Sequence, residues 1–447
     1  MKTTILKFAG FAIAILFFVA CDGDDDANLP NPDGGGGEEP VTFADFEDEW
    51  VRLSLIRDSK IEVMQASKEQ IIGSVDTGIP QGARYYPTNS GRYLTVVNSG
   101  ANEVTFFDTG VVNHTDHGHQ NQVRWLDRTV QAAEPTHFTS VNGNIVIFND
   151  GDGSITYVEE DRLRLPESAY NPKTMQLENT VAHHGVGIAL NNGKFAVTFQ
   201  SDNPLPDYDW GPQMVKYVTS DGAVIDDNKG VLVKGIHGSA NNGRYGAFGS
   251  TEGVIIVDEQ DNIDLIPNID GLSAERFFWI ANLKSHENSK LFYGRANNLG
   301  IYTIDPEQKS MSLLYEGEDV KNNMFSFHGE YYLIHTNDNR IRVYDANTSN
   351  LIAERIVEMA NIPDSPITSA KYANSEITKL KQQEQESPVL VCSDKYLYVL
   401  APNRTDIKVL SITDLKHVHT IKLESPVQSI AKNGFSTVGE PNPDHNH

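Results

Sequence analysis

One unit recurs through the chain, and its spacing constrains the fold more than any other feature. A β-rich run ends at an Asn-Gly or Ser-Gly turn, a strand rich in aromatic and β-branched residues follows, then a polar turn and another strand. It reads clearly at Ser90–Val97 with Glu103–Asp108, and at Asn142–Phe148 with Ser154–Val158. Further copies start at Asn192, Asn242, Ser289, Gly329 and Asp394. Asn-Gly between strands sets a tight hairpin, because both turn residues must take positive φ. A period of about 40–50 residues with three or four short strands per copy predicts the blades of a β-propeller.

Seven copies are complete. Residues 51–76 add three strands of an eighth that lacks its first, and Pro426–Ala431 supplies the missing one. The expectation is an all-β, eight-bladed ring closed by N- and C-terminal strands over 41–435, with seven blades as the alternative. A β-sandwich array is the competing fold. Residues 436–447 read as a disordered tail.

The N-terminal forty residues are a different kind of sequence. Lys2 and Lys7 precede an almost wholly apolar run from Phe8 to Ala20, and then comes Cys21. About thirteen apolar residues are too few to span a bilayer, so residues 1–20 read as a secretory signal. Phe18-Val19-Ala20-Cys21 resembles the lipobox of bacterial lipoproteins, with Phe18 where Leu is usual; the resemblance implies lipidation of Cys21. A plain cleaved signal is the alternative. Residues 21–40 are acidic and rich in Gly and Pro, with no apolar periodicity, and read as a flexible tether. An acidic run beside the lipidated cysteine also resembles the export signal of surface-displayed lipoproteins. The expected location is therefore the cell envelope, at the outer membrane, facing the periplasm or the exterior. The remaining cysteine is Cys392, so lipidation of Cys21 leaves no disulfide to help the fold.

The net charge is −25, and residues 22–50 hold eleven acidic side chains and no basic one. That sign argues against nucleic acid and anionic lipid as partners and is compatible with attraction of a cation. No nucleophile elbow, phosphate loop or dinucleotide fingerprint occurs. Gly151-Asp152-Gly153 reads as a hairpin turn, and no pair of carboxylates stands out as an acid/base couple. A non-enzyme is expected; the alternatives are an interaction platform and a metal-dependent hydrolase.

Histidine is where chemistry shows. Of fourteen, His137 lies in Pro135–Phe138, His183 and His184 in Ala182–Val186, and His237 in Gly235–Ser239. Each segment precedes an Asn-Gly turn, so each is expected on the innermost strand of its blade, facing the axis. Alternation along a strand sends neighbours to opposite faces, so one of His183 and His184 points inward and the other supports it. Asp116, His117 and His119 sit in the connection His114–His119. Neutral imidazole with an occasional carboxylate suits zinc, with copper and nickel as competitors. The candidate metal residues are Asp116, His117, His119, His137, His183, His184 and His237. His417 and His419 share a face of a late outer strand, and His445 and His447 fall in the tail.

These segments together resemble the AztD-type zinc metallochaperones, periplasmic propellers that pass zinc to the solute-binding protein of an ABC importer. The resemblance runs in order over residues 80–400 and is sharp only around the histidines. Family members carry Asp-His-Gly-Asp-His in the first loop. Asp116, His117 and Gly118 match that pattern, while His119 stands in place of Asp and Gln120 in place of His. It implies zinc at Asp116 or His117 together with inner-strand histidines, and delivery to an importer's binding protein.

Overall fold

In a computed structural model of the chain, the described residues are 43, 47–76, 82–114, 116–202, 211–225, 230–360 and 387–437. The signal, Cys21, the tether and residues 438–447 lie outside them.

Eight four-stranded antiparallel sheets follow one another along the chain. Blade 1 comprises Val51–Ile56, Lys60–Gln65 and Gln70–Asp76, with Ser429–Gly434 paired against Val51–Ile56 as its first strand. Blade 2 runs from Arg84–Pro87 to Arg124–Gln131, blade 3 from Pro135–Val141 to Lys173–Met175, and blade 4 from Gly187–Ala189 to Val224–Ile225. Blade 5 spans Ile236–Asn241 to Ile263–Pro267, blade 6 Asn282–Lys284 to Ser310–Glu316, and blade 7 Val320–Phe325 to Leu351–Ile356. Blade 8, Val389–Cys392 to His417–Lys422, brings the chain back to blade 1. The expected eight-bladed ring, closed by strands from both ends, is what the chain forms.

Patterning explains why these strands stack as blades. A middle strand is covered on both faces, so it reads as an unbroken apolar run. Ile145, Val146, Ile147 and Phe148 are all fully buried. Their directions alternate: Ile145 and Ile147 pack with Phe106 and Val104 of blade 2, whereas Val146 and Phe148 pack with Phe195 and Val197 of blade 4. Each middle strand thus joins two neighbours at once. Outermost strands are covered on one face, and Arg124–Gln131 accordingly alternates, with Leu126 and Val130 inward. At the Asn142-Gly143 turn φ is 47° and 72°, as a two-residue hairpin of right-handed strands demands.

Two departures from regularity place the histidines. Blade 4 has a first strand of only three residues, Gly187–Ala189, and over this short strand the first strands of blades 3 and 5 touch each other. In blade 5 the pairing register slips between Ile236 and Ser239, and in blade 3 between Pro135 and His137. Such bulges turn a side chain away from its regular direction.

Candidate metal centre

His137 and His237 both stand at those bulges. After His237 the chain passes through Gly238 at φ 75°, where a Cβ would meet the Ala281 carbonyl oxygen at 2.5 Å. Only glycine fits there, and it lets the His237 ring lean inward. The third imidazole arrives differently. His183 and His184 were expected on an inner strand, but that strand begins at Gly187, and both lie in the segment leading into it. The reason is local. Gly185 is wedged against Phe148, Thr198 and the His183 ring, with a Cβ position 2.5 Å from Phe148 Cζ, so backbone approaches blade 3 too closely for regular pairing. Val186 N–H donates to the Thr198 hydroxyl instead.

The two neighbours then divide. His183 is buried, with Nδ1 2.7 Å from the Val181 carbonyl and Nε2 3.1 Å from that of Thr198. Both ring nitrogens face backbone carbonyls and neither is turned to the cluster, so His183 acts as a wall of the site. His184 turns outward, its side chain 49% exposed, to stand with the other two.

His137, His184 and His237 bring one ring nitrogen each to within 4.8 Å of one another. The Nε2 atoms of His137 and His184 are 3.0 Å apart. Two nitrogens sharing a tetrahedral zinc at about 2.0–2.1 Å would stand about 3.3 Å apart, so this pair already has a chelating separation. His237 offers the third ring nitrogen within the 4.8 Å span of the group.

The far nitrogens are also settled. Nδ1 of His184 lies 2.6 Å from Asp150 Oδ2, and Nδ1 of His237 donates to the Ala281 carbonyl at 2.8 Å. Each contact puts the proton on Nδ1 and leaves Nε2 with its lone pair facing the cluster. Asp150 is held in turn by the Thr136 hydroxyl at 2.6 Å. Burial works to raise its pKa, but the bonds from His184 and Thr136 outweigh that and hold it below the usual carboxylate value. Burial, aided by the neighbouring His184 and His237, pushes His137 down to about 3. Burial also lowers His237, against the opposing pull of the Ala281 carbonyl. Neutral imidazoles are the form a metal needs.

Asp116, His117 and His119 form a second group. They sit in a hairpin, Val111–Asn113 with Gly118–Gln120, inserted before the last strand of blade 2. His114 stacks on His117 at 5.0 Å, and His119 stands edge-on to both at 5.0 and 5.2 Å. Asp116 Oδ1 is 2.8 Å from His117 Nδ1. Among the described residues, the group of three converging imidazoles does not include Asp116 or His117. His417 and His419 lie on the outermost strand of blade 8, where His419 meets Glu69 at 2.6 Å.

Sequence reasoning passed over Asp150. Its place in Asn149–Gly153 reads as a hairpin turn, and the one available signal, a carboxylate thirteen residues beyond His137 at the same end of the blade, emerges only once the strands are paired.

Cavities border the site. One of about 550 Å3 is lined by His237, Arg276, Phe277, Trp279, Ala281 and Asn297. Another of about 240 Å3 carries His137 and His237 at one end, with Arg84, Ser239 and Lys284 further along.

No family model matches the sequence, and no curated protein is similar enough to count as a relative. Solved structures do resemble it. Dihydro-heme d1 dehydrogenase NirN in complex with DHE is 11% identical and covers 90% of this chain and 78% of its own, with a TM-score of 0.50. AztD from Citrobacter koseri is nearer: one crystal structure covers 88% of this chain and 100% of that one at 19% identity, with a TM-score of 0.68. Apo AztD from the same organism covers 87% and 99%, also at 19% identity, with a TM-score of 0.69. From first blade to last, this chain has the fold of AztD.

Proposed function

We propose that this protein is a zinc carrier of the cell envelope, anchored through lipid on Cys21, which holds its ion on His137, His184 and His237. The observation that carries the reading is the tautomer control. Two of three converging imidazoles have their outer nitrogen bound, by Asp150 and by the Ala281 carbonyl, so their inner lone pairs converge before any ion arrives. Histidines that merely pack a channel have no need of that arrangement. Three protein ligands leave a fourth position open, and an ion with an open position can be passed on by ligand exchange. The hairpin of Asp116, His117 and His119, with His114 beside them, offers a second donor set for loading or release. By likeness to AztD-type proteins, the recipient is the solute-binding protein of a zinc ABC importer. The net charge of −25 favours cation capture.

The test is a zinc titration of the body, residues 41–447 without a histidine tag, after stripping with chelator. The expected result is one tight equivalent per chain, weakened at least about a hundredfold in a His184→Ala/His237→Ala double variant. Unchanged affinity in that variant would sink the assignment. The absence of any tight equivalent in the unaltered body would leave a propeller serving as an interaction platform.

A further inference from the structure

Below the histidines the axial cavity changes character. Three hydrogen-bond donors from three blades face into the 240 Å3 space: Arg84 from the first strand of blade 2, Ser239 from blade 5 and Lys284 from blade 6. Among the described residues neither the Arg84 guanidinium nor the Lys284 ammonium has a carboxylate within ion-pair distance, and the buried Ser239 hydroxyl has no partner. The chain carries 61 acidic and 36 basic residues, yet no Asp or Glu lines this cavity or a third one, also of about 550 Å3 but distinct from that beside Trp279, which runs past Tyr86, Leu283 and Met324. Lys284 borders both, and Lys432 borders the second. The nearby carboxylates are engaged elsewhere. Asp150 serves His184 and Thr136, and Glu287 accepts from Asn89 and from the Asn142 amide. Solvent reaches Lys284 along the bore, but protein surrounds it, and the loss of hydration lowers its pKa. Arg84 and Lys284 both keep contact with solvent, and two positive charges on one concave wall with no carboxylate beside them attract an anion through their shared field.

We propose that the cavity formed by Arg84, Ser239 and Lys284 is a binding site for a small dianionic oxyanion, a dicarboxylate or a phosphate. Two fixed positive charges match two negative ones. The guanidinium offers paired donors to a carboxylate or phosphate edge, the ammonium and hydroxyl take the remaining oxygens, and the space admits a molecule of a few heavy atoms. None of the three residues belongs to the histidine group, so the site stands whether or not that group binds zinc.

The experiment is calorimetric titration of the whole chain in detergent, stripped of metal, with succinate, with inorganic phosphate and with sodium chloride as control. Saturable one-to-one binding of succinate or phosphate, and not of chloride, is expected. Lys284→Gln and Arg84→Gln should each weaken it about tenfold or more, while Lys284→Arg should keep it within about threefold. Ser239→Ala, too small a change to unfold a blade, should weaken it about threefold. Binding of succinate alone assigns a carboxylate ligand, and of phosphate alone a phosphorylated one. Lack of saturable binding by either, or binding indifferent to all three charge- and hydroxyl-removing variants, overturns the proposal. Zinc titration of Lys284→Gln should be unchanged, which separates this site from the metal centre; Arg84, which acts on His137 by its charge, is not used for that comparison.

Discussion

Two adjacent histidines, 183 and 184, do opposite jobs because of what each ring nitrogen meets. His183 turns both nitrogens to backbone carbonyls, one of them taking its N–H, while His184 sets one nitrogen on Asp150 and keeps the other. Asp150→Asn should therefore leave the fold intact and weaken zinc binding about 10–100-fold, measured by competition with a chromophoric chelator, since an amide no longer fixes the His184 tautomer. A different histidine, outside the metal centre, also contributes to acid stability. His335 is 2% exposed, with Nε2 on Asn339 and no partner for Nδ1. Burial pushes it down to about 4. The unfolded chain, with this group near 6.5, binds a proton that the folded chain refuses, so stability falls as pH drops from about 6.5 towards 4. The loss from this group amounts to about 2–3 kcal/mol, and His335→Asn should flatten that part of a metal-free denaturation profile by most of it. An acid limb unchanged by the substitution would count against this account.

At the scale of the strand, the bulges matter more than the sheets they interrupt. Gly238→Ala forces a side chain into φ 75° and against the Ala281 carbonyl. It should cost about 2–4 kcal/mol in thermal or urea unfolding, and zinc affinity should fall with it because Ala281 also holds His237. This scale also marks where the sequence stops being readable. Asn-Gly turns and covered strands such as Ile145–Phe148 repeat often enough to fix the blade count, because every copy repeats the same physical demand. His137 and His237 are legible as inward-facing for the same reason. The contact between their two blades is not, since it depends on blade 4 contributing only Gly187–Ala189 to its first strand, an irregularity without a local signature. The loop containing Asp116 and His117 resembles a family ligand motif, yet its rings gather among themselves, which only the hairpin's pairing reveals. Arg84 and Lys284 are unremarkable by sequence; the ring brings them to one cavity.

On the whole-molecule scale, the eight blades hold together through a closure that joins residues nearly four hundred positions apart. Val51 pairs with Gly434, Ile56 with Ser429, and the Ser54 hydroxyl donates to Asn433 Oδ1 at 2.7 Å. Ending the chain at residue 428 should abolish the single cooperative unfolding transition and expose the apolar face of blade 1, seen as dye binding at temperatures where the full chain shows none. Retention of a single sharp transition would mean that the blades carry their stability locally. Closure of this kind also sets a clock. Synthesis proceeds from the N-terminus, so the strands between Val51 and Asp76 must wait, with one edge unsatisfied, until the last blade has been made and Ser429–Gly434 emerges. Any machinery that must handle this polypeptide while it is still pliable therefore has the whole duration of its manufacture in which to act.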